Sequence, residues 1–105
     1  MYTLINLNKI YEIYYIFIRY QSLFDSFSNV YLFGSILSLN KILNDVDILL
    51  VYDGLTNKVL YDSEEIRSIL YEYIGIQVDM TVLSQNEFEE NNFLYKLRGK
   101  YLKFK

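Results

Sequence analysis

The chain has 105 residues, 52% hydrophobic and 22% charged, with a formal net charge of −3 and a pI near 4.8. That composition suits a globular chain of one domain, residues 1–105, able to bury about 65% of its unfolded surface. The acidic balance argues against a broad nucleic-acid footprint. There is no cysteine and no histidine, which excludes disulfide frameworks, thiolate zinc sites and histidine-based catalysis, and leaves oxygen ligands and hard cations such as Mg²⁺ or Mn²⁺ for any metal.

In chain order, residues Asn6 to Ser26 carry apolar side chains at helical spacing (Ile10, Tyr14, Ile18) and predict one long helix, apolar on more than one face. Glu12, Arg19 and Gln21 make the run from Ile10 to Phe24 too charged and too short for a membrane span. It also lacks a basic leader and a small-residue cleavage site, so the expected location is cytoplasmic. Val30 to Phe33 predicts a short buried strand, broken by Gly34-Ser35. A short helix or turn is expected from Ser35 to about Leu43, ended by Asn44. Asp45 to Tyr52 is the clearest strand, and Asp53-Gly54 marks a turn after it.

Asp62 and Glu65 read as a capping box with Asp as the cap, opening a helix to about Ile74 that Gly75 terminates. Ile76, Val78, Met80 and Val82 alternate with Gln77, Asp79 and Thr81, as in a half-buried strand. Ser84 and Glu87 form a second capping box, opening a helix that ends near Gly99. Lys96, Arg98, Lys100, Lys103 and Lys105 then cluster, read as a solvated helix end complementing the helix dipole in preference to a small local basic patch. The expected order is α-β-α-β-α-β-α: an α+β protein with a small sheet and helices packed against it.

One constellation carries chemistry. Val30-Tyr-Leu-Phe-Gly34-Ser35 is followed after nine residues by Asp45-Val46-Asp47-Ile-Leu-Leu-Val51. On a strand, Asp45 and Asp47 point to the same face. Two carboxylates opening an otherwise apolar strand repel one another and are costly to bury, and a divalent cation resolves both problems. Glycine at position 34 lets backbone approach a phosphate closely, and the Ser35 hydroxyl can donate a hydrogen bond to it. Asp79 is the candidate third acid. It faces away from the apolar stripe of its own strand, and three carboxylates can bridge two metals about 3.5–4 Å apart.

The pattern Leu-Phe-Gly34-Ser35, spacer, Asp45-Val-Asp47-Ile-Leu-Leu-Val resembles the signature of the DNA polymerase β-like nucleotidyltransferase superfamily. Within it, the small stand-alone minimal nucleotidyltransferases (MNT) are the most similar. The resemblance implies a mixed sheet, nucleotide phosphates at Gly34 and Ser35, and Mg²⁺ or Mn²⁺ held by Asp45 and Asp47 with Asp79 completing the site. The segment after Gly34-Ser35 departs from the pattern. It reads Ile-Leu-Ser-Leu-Asn-Lys41 where an Arg-Gly is common, and Asn44 stands where a serine often precedes the first acid. The helical domain of larger relatives is missing, so the acceptor is expected on another chain.

The resemblance further implies transfer of a nucleoside monophosphate, AMP from ATP most simply, to a hydroxyl. As in MNT-type antitoxins, that hydroxyl would be a tyrosine of a helical toxin-type partner, and activity could depend on that partner. Twelve Tyr and seven Phe exceed what a core of this size needs. Tyr11, Tyr14, Tyr15, Ile18 and Phe24 are therefore a candidate face for a protein partner or for self-association. The alternative is a non-catalytic module of the same fold that binds and masks a partner. A third reading, nucleotide addition to RNA 3′ ends, is disfavoured by the acidic pI, and no membrane partner is expected.

Overall fold

The strand from Asp45 is the centre of the architecture. The computed structural model describes residues 4–38 and 45–105, with side chains from residue 6 onward. Lys41, Asn44 and the far end of the helical segment expected up to Leu43 lie outside the described residues. The helices are α1 (Leu4–Arg19), α2 (Gln21–Phe24), α3 (Asn57–Ile74), α4 (Gln85–Glu90) and α5 (Phe93–Lys96). The strands are β1 (Asn29–Phe33), β2 (Asp45–Tyr52), β3 (Gln77–Ser84) and β4 (Tyr101–Lys103), with a 3₁₀ turn at Gly34–Leu37. The sheet order is β3-β2-β1-β4. β2 pairs with β3 in parallel, while β1 is antiparallel to both β2 and β4, so the sheet is mixed. The fold class is α+β, as expected.

Alternation divides the side chains between the two faces of the sheet. Val46, Ile48 and Leu50 of β2, Val30 and Leu32 of β1 and Val78 of β3 join Ile10, Ile13, Ile16, Phe17, Ile66, Leu70 and Ile74 in the main core under α1 and α3. On the opposite face Tyr31, Leu49 and Val51 are covered by Phe88, Phe93 and Leu94 from α4 and α5, with Phe33, Leu83 and Tyr101 around them. Two covered faces explain why β2 is apolar on both sides after Asp47.

Several boundaries differ from expectation. The single N-terminal helix is interrupted at Tyr20 (φ −109°, ψ 38°), at the end of a run of β-branched and aromatic residues with low helix propensity. Phe24 then stacks edge-on against Phe17, with ring centroids 5.0 Å apart. The Ser84/Glu87 capping box is present, but its helix stops at Glu90 and reverses through Asn92 (φ 49°). Asparagine is one of the few non-glycine residues that visits that region readily. The chain then forms β4, which the sequence reading missed. Of the five C-terminal cations, only Lys96 lies in a helix. Lys103 pairs with Tyr31 on the sheet edge and Lys105 Nζ donates to Phe24 O at 3.2 Å, so these lysines do not form a helix end.

The Asp62/Glu65 capping box is corrected as well. α3 starts five residues earlier, at Asn57, where the Thr56 hydroxyl accepts a hydrogen bond from Val59 N at 3.1 Å. Gly75 ends the helix in the left-handed region (φ 73°), as expected. Asp62 is instead an interior residue of the helix, only 2% exposed. It accepts hydrogen bonds from Ser26 Oγ and, at 2.6 Å, from Lys58 Nζ. Burial alone would raise its pKa, but those two donors outweigh it and hold the carboxyl below its ordinary value. The folded state therefore gains stability from ionised Asp62 above the usual carboxylate range and loses it as pH falls through the depressed pKa. Asp62→Ala should cost about 1–3 kcal/mol at pH 7, read from urea denaturation, and should flatten the acid limb of the stability profile.

Candidate functional site

Parallel pairing places β3 residues directly beside those of β2: Asp45 faces Gln77, and Asp47 faces Asp79. Paired residues share a face, so Asp45, Asp47 and Asp79 converge at the N-terminal ends of the two strands. One carboxylate oxygen from each lies within 4.8 Å of those of the other two. Asp45 and Asp47 are half-buried and Asp79 is exposed.

Gly34 closes the third side. It has φ +85°, in the region where side chains are disfavoured, and a Cβ there would fall inside the Asp47 carboxylate, 2.7 Å from its Cγ. β1 brings it there, because Phe33 is paired with Asp47 across the antiparallel ladder. The turn after Gly34 is anchored by buried Ile36 and Leu37. It is also anchored by Asn6 of α1, whose buried side-chain amide donates to Ile36 O at 3.3 Å. Ser35 Oγ lies 3.5 Å from Asp45 O, tying the Gly-Ser turn loosely to the start of β2.

The electrostatics follow from this crowding. The Asp47 carboxyl is pushed up from 3.8 to about 6, first by burial, then by the Asp45 and Asp79 charges and a hydrogen bond shared with Asp79. A divalent cation would relieve the burial and the repulsion together. The donor set is all carboxylate oxygen and the geometry is convergent, so the residues fit a hard divalent cation held by Asp45, Asp47 and Asp79. All three acids named from the sequence are thus brought together, and Gly34 and Ser35 border them. The contact of Gly34 with Asp47 was not foreseen. The sequence offered a reason for glycine there, a close approach to phosphate, but not this neighbour.

Comparison of the fold with solved structures gives two informative neighbours. An MNT antitoxin from Shewanella oneidensis, solved in complex with a tri-AMPylated HEPN toxin, superposes with a TM-score of 0.57 at 16% identity, over 92% of this chain and 71% of its own. A candidate nucleotidyltransferase from Sulfolobus solfataricus superposes with a TM-score of 0.54 at 24% identity, over 82% of this chain and 76% of its own. The chain has the nucleotidyltransferase fold. At these identities the likeness is one of architecture. No protein-family model and no curated protein sequence matches the chain. Within this nucleotidyltransferase fold, no helix among the described residues is long and apolar enough to cross a membrane.

Two outcomes test the geometry. Gly34→Ala should displace the Asp47 carboxylate, destabilise the protein by about 2 kcal/mol or more, and weaken Mn²⁺ binding, measured by calorimetry, at least about tenfold. Because the folded pKa of Asp47 is raised, its protonated form favours the metal-free fold. That stability is present below about pH 4 and is lost as pH rises through about 6. Asp47→Asn should abolish this dependence and stabilise the metal-free protein at pH 7 by about 1–2 kcal/mol after solvent screening, read from thermal unfolding at several pH values.

Proposed function

We propose that residues 1–105 act as one metal-dependent nucleotidyltransferase domain that moves a nucleoside monophosphate, AMP from ATP, onto a hydroxyl acceptor. The observation that carries this reading is the strand register that sets Asp79 beside Asp47, with Asp45 on the same face and Gly34 closed against them. Asp45, Asp47 and Asp79 would hold Mg²⁺ or Mn²⁺, which when bound supplies charge neutralisation for the triphosphate and the departing pyrophosphate. Gly34 and Ser35 would border the β- and γ-phosphates. The acceptor oxygen forms its bond to the α-phosphorus, the bond from that phosphorus to the β-bridging oxygen breaks, and pyrophosphate leaves. Asp79, the exposed member of the triad, would take the acceptor proton. Catalysis is then largely positioning and electrostatic complementarity. The reading assigns the protein to the cytoplasm, where nucleoside triphosphates are available.

The acceptor we favour is a tyrosine hydroxyl of a helical toxin-type protein partner. Two things support it: the AMP-modified HEPN toxin bound by the Shewanella neighbour, and the exposed Tyr11, Tyr14, Tyr15 and Ile18 along α1. Phe24, also expected on that surface, is instead buried in the core. The same exposed side chains favour a second reading, a non-catalytic module that masks a partner through α1.

Label transfer from α-phosphate-labelled ATP with Mg²⁺ in lysate of the source cell distinguishes the two. A labelled macromolecule should form with the wild-type chain and drop at least about 100-fold with Asp47→Asn and with Asp79→Asn. Absence of transfer with every nucleotide and metal would move the assignment to masking. In that case Tyr14→Lys should abolish biological activity while Asp47→Asn leaves it intact.

A further inference from the structure

A cavity of about 630 Å³ lies on the same sheet face as the carboxylate triad, one strand beyond Phe33. It is lined by Leu94, Tyr95, Lys96, Arg98, Gly99 and Tyr101. Its position follows from two registers. Phe33 is paired with Asp47 on one side and with Tyr101 on the other, so Tyr101 and Asp47 share a face at two strand spacings, roughly 10 Å apart. β4 runs antiparallel to β1, and Arg98 and Gly99 lie two to three residues before Tyr101 while Gly34 and Ser35 directly follow Phe33. Both turns therefore emerge at the same end of the sheet, side by side.

Two exposed cations, Lys96 and Arg98, are among the residues that line the cavity. Among the described residues, neither the Lys96 ammonium nor the Arg98 guanidinium has an ion-pair or hydrogen-bond partner. Arg98 is also held at a backbone cost. Arg98 (φ 52°) and Gly99 (φ 78°) are both left-handed, and Lys100 N donates to Leu97 O at 3.0 Å. These are the marks of a type I′ turn, whose first central position favours Asn, Asp or Gly over a long side chain. An arginine at an unfavourable backbone position, without a protein partner among the described residues and at the rim of a cavity, is available to a ligand. Guanidinium and ammonium groups together match phosphate oxygens.

We propose that this cavity binds the terminal phosphates of the nucleoside triphosphate, with Arg98 and Lys96 supplying the positive charge on the Gly34-Ser35 side of the site. The inference rests on the nucleotidyl-transfer reading for the identity of the triphosphate and goes beyond it in naming the residues that hold the phosphate tail. The triad lies on the β2–β3 side and the cations on the β4 side, so a triphosphate crossing the end of β1 meets metal ligands at its α-phosphate and cations at its γ-phosphate. The C-terminal turn thereby becomes part of the nucleotide site.

The experiment measures binding of ATP, AMP and inorganic tripolyphosphate, each with Mn²⁺, and of Mn²⁺ alone, by calorimetry on the full chain. It compares wild type, Lys96→Gln, Arg98→Asn and the double variant. Arg98→Asn should keep or raise Tm, because asparagine suits the turn, so loss of binding cannot be laid to misfolding. The double variant should bind ATP and tripolyphosphate at least tenfold more weakly, with AMP and Mn²⁺ affinities unchanged. Equal ATP and tripolyphosphate affinities in wild type and double variant would overturn the proposal, as would a wild-type chain that binds neither. Loss of binding in the double variant alongside no label transfer to any acceptor would sustain the cation assignment and overturn only the transfer reading.

Discussion

The register between β2 and β3 is the constraint on which the rest of the site depends. β3 contributes Val78 to the main core and Asp79 to the opposite face. A slip of one residue would turn Asp79 into the apolar layer under α3 and bring Val78 out to solvent, so hydrophobic burial locks the pairing. Once it is locked, Asp79 has no choice but to stand beside Asp47. The αL turn at Gly75 supports the same outcome, because it ends α3 where the chain must re-enter the sheet with Gln77 opposite Asp45.

Three carboxylates held this closely are a cost that the metal-free fold must absorb. The raised pKa of Asp47 is the visible sign of that cost. It is tolerated because the carboxylates occupy one end of the sheet, while the apolar remainder of β2 is covered on both faces. Gly34 contributes by having no side chain: it allows β1 to come within contact of the Asp47 carboxylate from the other side. Asn6 secures the turn that follows, reaching from α1 to Ile36 O, so the N-terminal helix helps to hold the site it flanks.

The parts of the fold that were hard to read share a cause. The break at Tyr20, the reversal at Asn92 and strand β4 are short features whose local patterns compete with a longer helix. What decides them is where Phe24, Phe93 and Leu102 find apolar partners. Asp62 was misplaced for a related reason. Its spacing to Glu65 matches a cap, but the half-buried hydroxyl of Ser26, far away in sequence, gives it a role inside the helix. Thr56, six residues earlier, makes the cap instead.

From the sequence alone one could read the central strand, its two acids, the Gly-Ser break before it, the cap at Ser84 and the absence of any histidine or cysteine chemistry. The last is a matter of composition; the others are local patterns of neighbouring residues, and local patterns survive folding when they agree with the core. Only the tertiary structure decided that Asp79 pairs with Asp47, that Gly34 touches that same carboxylate, and that Arg98 and Lys96 line a cavity beside the Gly-Ser turn. Those are relations between segments distant in the chain. They are set by which strands pair and in what register, a choice that long-range burial makes and that no short window of sequence contains.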